Sequence, residues 1–493
     1  MKCAFDRDYY LDIQRAEIRK RVLLFDNKLY LEFGGKLFED KHASRVLPGF
    51  KPNSKLEMFS GLKDQIEVVI TVNAHDIANN KIRYDSDLSY QDEIGRIIDA
   101  FRAKNILVSS VVFSFYFSHP LVNAFKRKLE RNGIKTYRHY HIEGYPHNIP
   151  LILSERGFGK NEYIETTRPI VVFTAPGPGS GKLSACLSQL YQDSKKGVRS
   201  GYAKYETFPI WNLPLNHPLN LAYEAATVDL GDFLVIDQYH KDEFGVEATN
   251  YNRDIEAFPL LKLIFEKIYG VSPYQSPTMM GVNMVGFAIR NEEICIQAAK
   301  EEIIRRYFQA KKNNFYDKYD DQSVVRVRQL LESLNLSETD RLPVQPALEK
   351  AKKTGVPCMA LSFKNGEIVT AKTSSLLSAP AALFLNAVKH LAGINDEIPL
   401  ISKQVIIPIM DLHKKLNPSD TPIFSLTETL TSLAIQAPTN PLSELALKQI
   451  SKLKGAQAHS SVILAKAERS LLKKLGIDVT EESVAGTDKL FRR

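Results

Sequence analysis

The sequence predicts an α/β protein built on a parallel, doubly wound sheet. In the first 240 residues, short apolar segments alternate with longer amphipathic segments, which is typical of strands joined by crossover helices. The apolar segments, such as 66–73 (IEVVITVN), are rich in β-branched residues, as strands buried on both faces are. Polar and charged residues follow these segments, and ligands of open α/β sheets bind beyond the carboxyl ends of the strands.

Composition and charge narrow the functional classes. Of the 493 residues, 44% are hydrophobic and 25% are charged, so we expect two or three globular domains. The formal charge of +8 is compatible with anionic ligands. Basic and aromatic residues do not alternate as they do in nucleic-acid-binding surfaces, so we expect no nucleic-acid partner. The four cysteines are far apart in the sequence, which predicts reduced thiols and no zinc site.

Location and assembly are constrained only weakly. The first residues lack the apolar segment of a signal peptide, and no apolar run reaches about 20 residues, so we expect a cytoplasmic protein without membrane contact. A homo-oligomer is compatible with the sequence.

The predicted elements of the first part follow in order along the chain. Helices are predicted at 8–22, 54–63, 91–104 and 120–132. Strands are predicted at 28–33, 66–73, 105–113 and 134–140, before a central strand that begins at Ile170. The helix at 91–104 is a clear case, because Ile94, Ile97 and Phe101 recur at the spacing of one helix face.

Changes of pattern beyond residue 240 predict the domain organisation. We assign 1–240 to an α/β domain that binds an anion or nucleotide, 241–340 to a helical subdomain, and 341–493 to a C-terminal α/β domain. Segments 358–363 and 367–372 flank a strong turn sequence and predict a hairpin. The apolar segment 404–409 (QVIIPI) is interpreted as a short strand.

The segment 169–191 (PIVVFTAPGPGSGKLSACLSQLY) predicts a strand, a glycine-rich loop and a helix. Candidate phosphate-binding residues are Gly177, Gly179, Ser180, Gly181 and Lys182. Glycines let backbone N–H groups approach a ligand, the helix start adds further donors, and a lysine adds a formal charge. The segment therefore predicts a site for a phosphate or another compact anion.

The match to the standard phosphate loop is imperfect. Pro176 stands where the first glycine is expected, Leu183 replaces the hydroxyl residue, and Ser184 comes one position late. The alternative is a tight strand-to-helix turn with Lys182 in water.

A second acidic strand end predicts a metal ligand. The segment 232–237 (DFLVID) has four apolar residues closed by Asp237. In phosphate-loop proteins such an acid holds magnesium together with the loop hydroxyl, here Ser184. We therefore expect magnesium together with a nucleotide. The alternative is that Asp237 caps the following turn.

Histidines and other polar residues cluster after the predicted strands. Eight of the 11 histidines lie before residue 241. His75 and Asp76 are candidate catalytic residues together with Lys182. Candidate substrate-binding residues are Lys36, His42, Arg45, Arg138 and His139. The alternative for each is a capping or surface group, and only their clustering at one edge favours a functional role.

Long stretches of the chain resemble a known bacterial family. They are LYLEFGGKLFEDKHASRVLPGF, YRHYHIEGYPHNIP, TAPGPGSGK, YETFPIWNLPLNHPLNLAYEAAT, NYNRDIEAFPLL and APTNPLSELAL. The sequence is similar to the "domain of unknown function 1846" family, also known as UPF0371. This resemblance implies a cytoplasmic bacterial protein with an α/β body, a helical part and a separate C-terminal α/β domain. It implies no reaction and no catalytic residue.

Three functional hypotheses follow from the residues. The first is a phosphotransferase or hydrolase that binds a nucleotide or phosphorylated metabolite, with Lys182 offsetting charge in the transition state. The second is a protein that senses a nucleotide or anion without turnover, which the missing glycine and displaced hydroxyl favour slightly. The third is a metal-dependent hydrolase that uses the histidines, although their spacing matches no ligand motif.

Overall fold

A seven-stranded parallel sheet forms the core of the first of two compact units, 1–299 and 300–493. The computed structural model describes residues 4–35, 37, 40–83, 88–317, 321–416 and 423–486. The predicted α/β class and parallel sheet are confirmed, because each of the six strand pairings in this sheet is parallel.

Within the described residues, twenty-two α-helices and strands begin in the first unit, and the last of them, α13, continues past residue 299. They are α1 (Arg7–Leu23), β1 (Leu29–Phe33), α2 (Lys41–Val46), α3 (Ser54–Ser60), β2 (Ile66–Asn73), α4 (Ala74–Ala78), α5 (Tyr90–Arg102), β3 (Leu107–Ser114), α6 (Pro120–Arg131), β4 (Lys135–Arg138), α7 (Ile149–Ile152), β5 (Ile170–Thr174), α8 (Lys182–Lys195), β6 (Gly201–Tyr205), α9 (Pro218–Thr227), β7 (Leu234–Ile236), α10 (Gln238–Phe244), β8 (Thr249–Tyr251), α11 (Asn252–Tyr269), α12 (Pro277–Met280), β9 (Gly281–Val282) and α13 (Glu292–Asp317).

Strand order places β5 at the centre of the sheet. The order is β4-β3-β2-β5-β1-β6-β9, so β5 lies between β2 and β1. All five residues of β5 and the first seven of β2 are buried, which shows that both faces of the sheet are covered, as the unbroken apolar runs predict.

A crevice is expected beyond the carboxyl ends of β2 and β5. The chain leaves β2 toward β3 on one side, whereas it leaves β5 toward β6 on the other side. Adjacent strands whose connections diverge in this way form the topological switch point at which ligands of open α/β sheets bind.

Local sequence explains why the helices begin where they do. The Ser89 side chain accepts a hydrogen bond from the Asp92 amide and caps α5, whose Ile94, Ile97 and Phe101 are buried as their spacing predicts. Pro120 and Pro218 open α6 and α9 at the first helical position, where a missing N–H costs nothing.

One later strand prediction is confirmed and another is wrong. The strand predicted before Asp237 exists as β7, which pairs with β8 in a separate two-stranded antiparallel sheet. The segment 404–409 is helical and belongs to α17, with Pro408 inside the helix. A short apolar run looks alike in a strand and in a helix, and here the helical context of the neighbouring residues prevailed. The segment assigned to a helical subdomain also contributes β9 to the central sheet.

The second unit has its own mixed sheet. Its further elements are α14 (Asp321–Ser333), α15 (Val344–Thr354), β10 (Cys358–Ser362), β11 (Ile368–Lys372), α16 (Ala379–Ala392), α17 (Lys403–Leu416), α18 (Leu426–Gln436), α19 (Pro441–Lys448), β12 (Gln457–Ser460), α20 (Lys466–Lys474) and β13 (Asp478–Glu481). The strand order is β11-β10-β12-β13, and the predicted hairpin is confirmed as the antiparallel pair β10 and β11. Its core includes Leu383, Leu433 and Leu472.

A helix that spans a membrane needs about 20 consecutive, predominantly apolar residues. Over the described ranges, each helix is too short or too polar to traverse the hydrocarbon layer.

Two glycines test the packing of the first unit. A Cβ on Gly201, which opens β6, would overlap the buried ring of Phe25, whereas a Cβ on Gly95 in the middle of α5 would meet no atom within 4 Å. We expect Gly201→Ala to lower the free energy of unfolding by about 1–3 kcal/mol, because the core must shift. Gly95→Ala is the matched control and should raise it by about 0.5–1 kcal/mol.

Urea denaturation followed by the fluorescence of Trp211, the only tryptophan, measures both variants. A Gly201→Ala protein as stable as the wild type would contradict the packing of β6 against Phe25.

Candidate functional site

The glycine-rich segment forms a loop between β5 and α8. The strand ends at Thr174 and the helix begins at Lys182. Gly179 has φ +69° and Gly181, the N-cap residue, has φ +81°. Both values lie in the left-handed region, where a side chain is strained, so the two glycines permit this path.

Serine side chains hold the loop in place. Ser180 is almost fully buried, and its hydroxyl donates to the Gly177 carbonyl. The Ser114 hydroxyl, at the end of β3, donates to the Ser180 carbonyl at 2.9 Å. Since β2 separates β3 from β5, the loop crosses over the carboxyl end of β2. It therefore lies at the switch point of the sheet.

Close packing leaves no room for side chains at two loop positions. A Cβ on Gly181 would lie 2.8 Å from the Cβ of Ser114, and a Cβ on Gly177 would overlap the hydroxyl of Tyr90. These contacts add a second reason, beyond backbone conformation, for the glycines in this segment.

The loop presents unpaired backbone donors. Within the described ranges, the amides of residues 181–184 donate to no protein acceptor, and the first amide of α8 with a partner is that of Ala185, which donates to the Gly181 carbonyl at 2.9 Å. Lys182 is half-buried, and no carboxylate of the described residues is paired with it. A tight strand-to-helix turn would also leave the first four amides of α8 unpaired, so the anion site stays a prediction.

Asp76 and His75 lie at the end of β2, beside the loop. The Asp76 carboxylate accepts from the Lys81 ammonium at 3.0 Å, and that ammonium lies 5.1 Å from the centre of the Tyr90 ring. Burial alone lowers the pKa of Lys81, but Asp76 and Tyr90 raise it overall. Because Tyr90 also packs on Gly177, contacts connect Asp76 to the loop. Sequence patterns missed Lys81 and Tyr90, since neither belongs to a motif.

His75 is solvent-exposed. Its ring stacks on Phe117 with centroids 4.5 Å apart and an interplanar angle of 26°. The structure thus brings His75 and Asp76 to the same edge as the loop, although their catalytic role stays a prediction.

Arg138 and His139 lie farther along the edge. They belong to β4 and the residue after it, and β4 is three strands from β5. Arg138 is paired with Glu162, with Nε 2.7 Å from Oε1. His139 is buried and contacts the Glu162 carbonyl at 3.1 Å, and burial lowers its pKa to about 4. The imidazole is therefore neutral near pH 7, and both residues have structural partners here.

The remaining predicted substrate residues follow β1. Lys36 lies outside the described residues. His42 and Arg45 lie on α2, which Asp40 caps by accepting from the Ala43 amide. His42 is buried edge-on against Phe208 and Tyr223, with centroids 5.1 and 5.2 Å away.

Ser184 and Asp237 have different partners. Asp237 caps α10 by accepting from the His240 amide at 3.0 Å, and its other oxygen accepts from the Thr278 hydroxyl at 2.6 Å. Ser184 shares a hydrogen bond with the Tyr145 phenol. Burial raises the pKa of this phenol to about 12, although the hydrogen bond from Ser184 partly opposes the rise. In the described ranges, no group of three or more His, Cys, Asp or Glu residues is placed to hold a metal. Magnesium stays a prediction.

A charged cluster that the sequence did not reveal lies at the end of β6. The Lys204 ammonium lies 2.8 Å from Glu206 and also binds Asp254 of α11. Burial raises the pKa of Glu206 to about 7. The positive charge of Lys204 opposes this rise, and the negative charge of Asp254 adds to it. Glu32 of β1 accepts from the Tyr202 hydroxyl at 2.8 Å and adds negative charge near Lys204. The residues come from three separate elements, so no sequence motif records the cluster.

Comparison with known proteins identifies the family. The model described as "Domain of unknown function DUF1846, N-terminal" matches residues 3–335, and the model of the C-terminal domain matches residues 339–491. The chain belongs to the DUF1846 family. The resemblance found in the sequence is thereby confirmed.

Full-length relatives agree with this assignment. The UPF0371 protein SUB1165 of Streptococcus uberis is 48% identical over 492 residues, which cover 100% of both chains. The UPF0371 protein SpyM50764 of Streptococcus pyogenes serotype M5 is 48% identical over 490 residues, which cover 99% of both chains. The family descriptions name no reaction, so a function for this DUF1846 protein must be argued from its geometry.

The raised pKa of Glu206 predicts a pH-dependent stability. The folded state holds this proton more tightly than the unfolded chain, so the free energy of unfolding should fall as the pH rises from about 4.5 through about 7. In the wild type this decrease in the free energy of unfolding should amount to about 1–3 kcal/mol, and we expect Glu206→Gln to abolish it. Urea titrations at several pH values measure the effect.

Glu243→Gln, an exposed carboxyl on α10, is the matched control and should leave the pH dependence of the wild type unchanged. If the stability of Glu206→Gln fell with pH as steeply as that of the wild type, Glu206 would not carry the raised pKa.

Proposed function

We propose that this protein binds a phosphorylated small molecule, a nucleotide or metabolite, with a phosphate held by residues 177–182. The observation that carries the proposal is the row of unpaired amides from 181 to 184 at a helix start. Such amides, reinforced by the helix dipole, form a common anion site. The neighbouring Lys182 supplies the positive charge that a phosphate prefers.

The position of the loop supports the same ligand class. It crosses the end of β2 at the topological switch point, where open α/β sheets bind their ligands. The departures from the standard phosphate loop affect the first glycine and the hydroxyl after the lysine, but they leave the amides around Gly179 and Gly181 available. A cytoplasmic location fits a metabolite of this kind and stays a prediction.

A lysine substitution tests the proposal. We expect Lys182→Ala to weaken the binding of pyrophosphate about tenfold or more, because one charge-assisted hydrogen bond contributes about 1.5–3 kcal/mol. Isothermal titration calorimetry with and without magnesium measures the binding and also tests the predicted metal.

Lys63→Ala is the matched control, since Lys63 is exposed and precedes β2 at the opposite edge of the sheet. It should bind pyrophosphate like the wild type. The proposal is wrong if the wild-type protein binds no pyrophosphate, or if both variants bind it equally well.

Turnover is a second candidate function, favoured by Glu206. A carboxyl group with a pKa near 7 can both accept and donate a proton at neutral pH, as a general acid or base must. Glu206 follows β6 at the carboxyl edge of the sheet, two strands from the loop of β5. A phosphotransferase or hydrolase would place its second substrate between these two sites.

Phosphate release from nucleotides and sugar phosphates tests this candidate. We expect Glu206→Gln to slow release by a factor of about 100 or more, with ligand binding retained. Binding without any product in the wild type would instead favour a sensing protein without turnover.

A further inference from the structure

Aromatic rings surround the end of β3, beside the loop. We call His75, Phe115, Phe117, His119 and His141 the aromatic platform. Its rings contact each other in pairs: His75 with Phe117 at 4.5 Å, Phe117 with His119 at 5.7 Å and Phe115 with His141 at 5.9 Å. His75 and His141 are exposed, and Phe115 is 40% exposed. The platform therefore offers aromatic surface to water.

The aromatic platform is continuous with the anion-binding loop. Ser114, which bonds the Ser180 carbonyl, is followed directly by Phe115 and, two residues later, by Phe117. Gly181, the first residue before α8, packs on Ser114. His75 comes from the end of β2, over which the loop crosses. The loop and the platform therefore lie at the same end of the sheet.

We propose that the aromatic platform stacks the base of a nucleotide whose phosphates bind the loop. This inference rests on the proposed function and narrows its ligand class. Aromatic and imidazole rings bind the flat face of a base by stacking, whereas a sugar phosphate has no flat ring to place there. His75 is the central contact, because one face of its ring packs on Phe117 while the residue remains exposed.

Calorimetry with ADP and pyrophosphate tests the inference. We expect the wild type to bind ADP about tenfold more tightly than pyrophosphate, the range that base stacking provides. His75→Ala and Phe117→Leu should remove most of this difference and leave pyrophosphate binding unchanged. Lys182→Ala should weaken the binding of both ADP and pyrophosphate.

A second stacked pair supplies the matched control. His390 lies on Phe363 with centroids 5.3 Å apart and an interplanar angle of 12°, in the second unit. His390→Ala should bind ADP like the wild type. Equal affinity of the wild type for ADP and pyrophosphate, or unchanged ADP binding in His75→Ala, would overturn the stacking inference while the phosphate site stands. Absence of pyrophosphate binding would overturn the proposed function itself.

Discussion

The hydrogen bond from Ser114 to the Ser180 carbonyl determines the geometry of the candidate site. It joins the end of β3 to a loop that leaves β5, two strands away, and so draws the loop across the end of β2. The bond uses a carbonyl of the loop and leaves its amides free, which is the polarity an anion site requires. The tight approach of Gly181 to Ser114 follows from the same contact.

The charged groups along the sheet edge fall into three classes. Arg138 and Asp237 are engaged by protein partners, as residues that stabilise a fold are. Lys182, by contrast, has no carboxylate partner in the described ranges, and the amides next to it are unpaired. Glu206 is different again, because burial raises its pKa to about 7. The unpaired donors and the carboxyl with a raised pKa are the features on which the proposed function rests.

Much of the fold was predictable because the signals are local. The buried strands β2 and β5, the amphipathic α5 and the hairpin of β10 and β11 each follow from residue spacing and turn chemistry. The prediction for segment 404–409 was wrong because five consecutive apolar residues do not distinguish a strand from a helix. The partner of β7 could not be predicted, because an isolated strand sequence does not show which sheet the strand joins.

The candidate site divides in the same way. Its glycines, its lysine and its strand–loop–helix context were determined by the sequence alone, because they depend on backbone conformation within a dozen residues. Only the tertiary structure decided that Ser114 holds the loop, that Lys81 and Tyr90 lie beside it, and that Lys204, Glu206 and Asp254 meet. These contacts join residues from separate strands and helices, and strand order, which no local pattern encodes, brings them together.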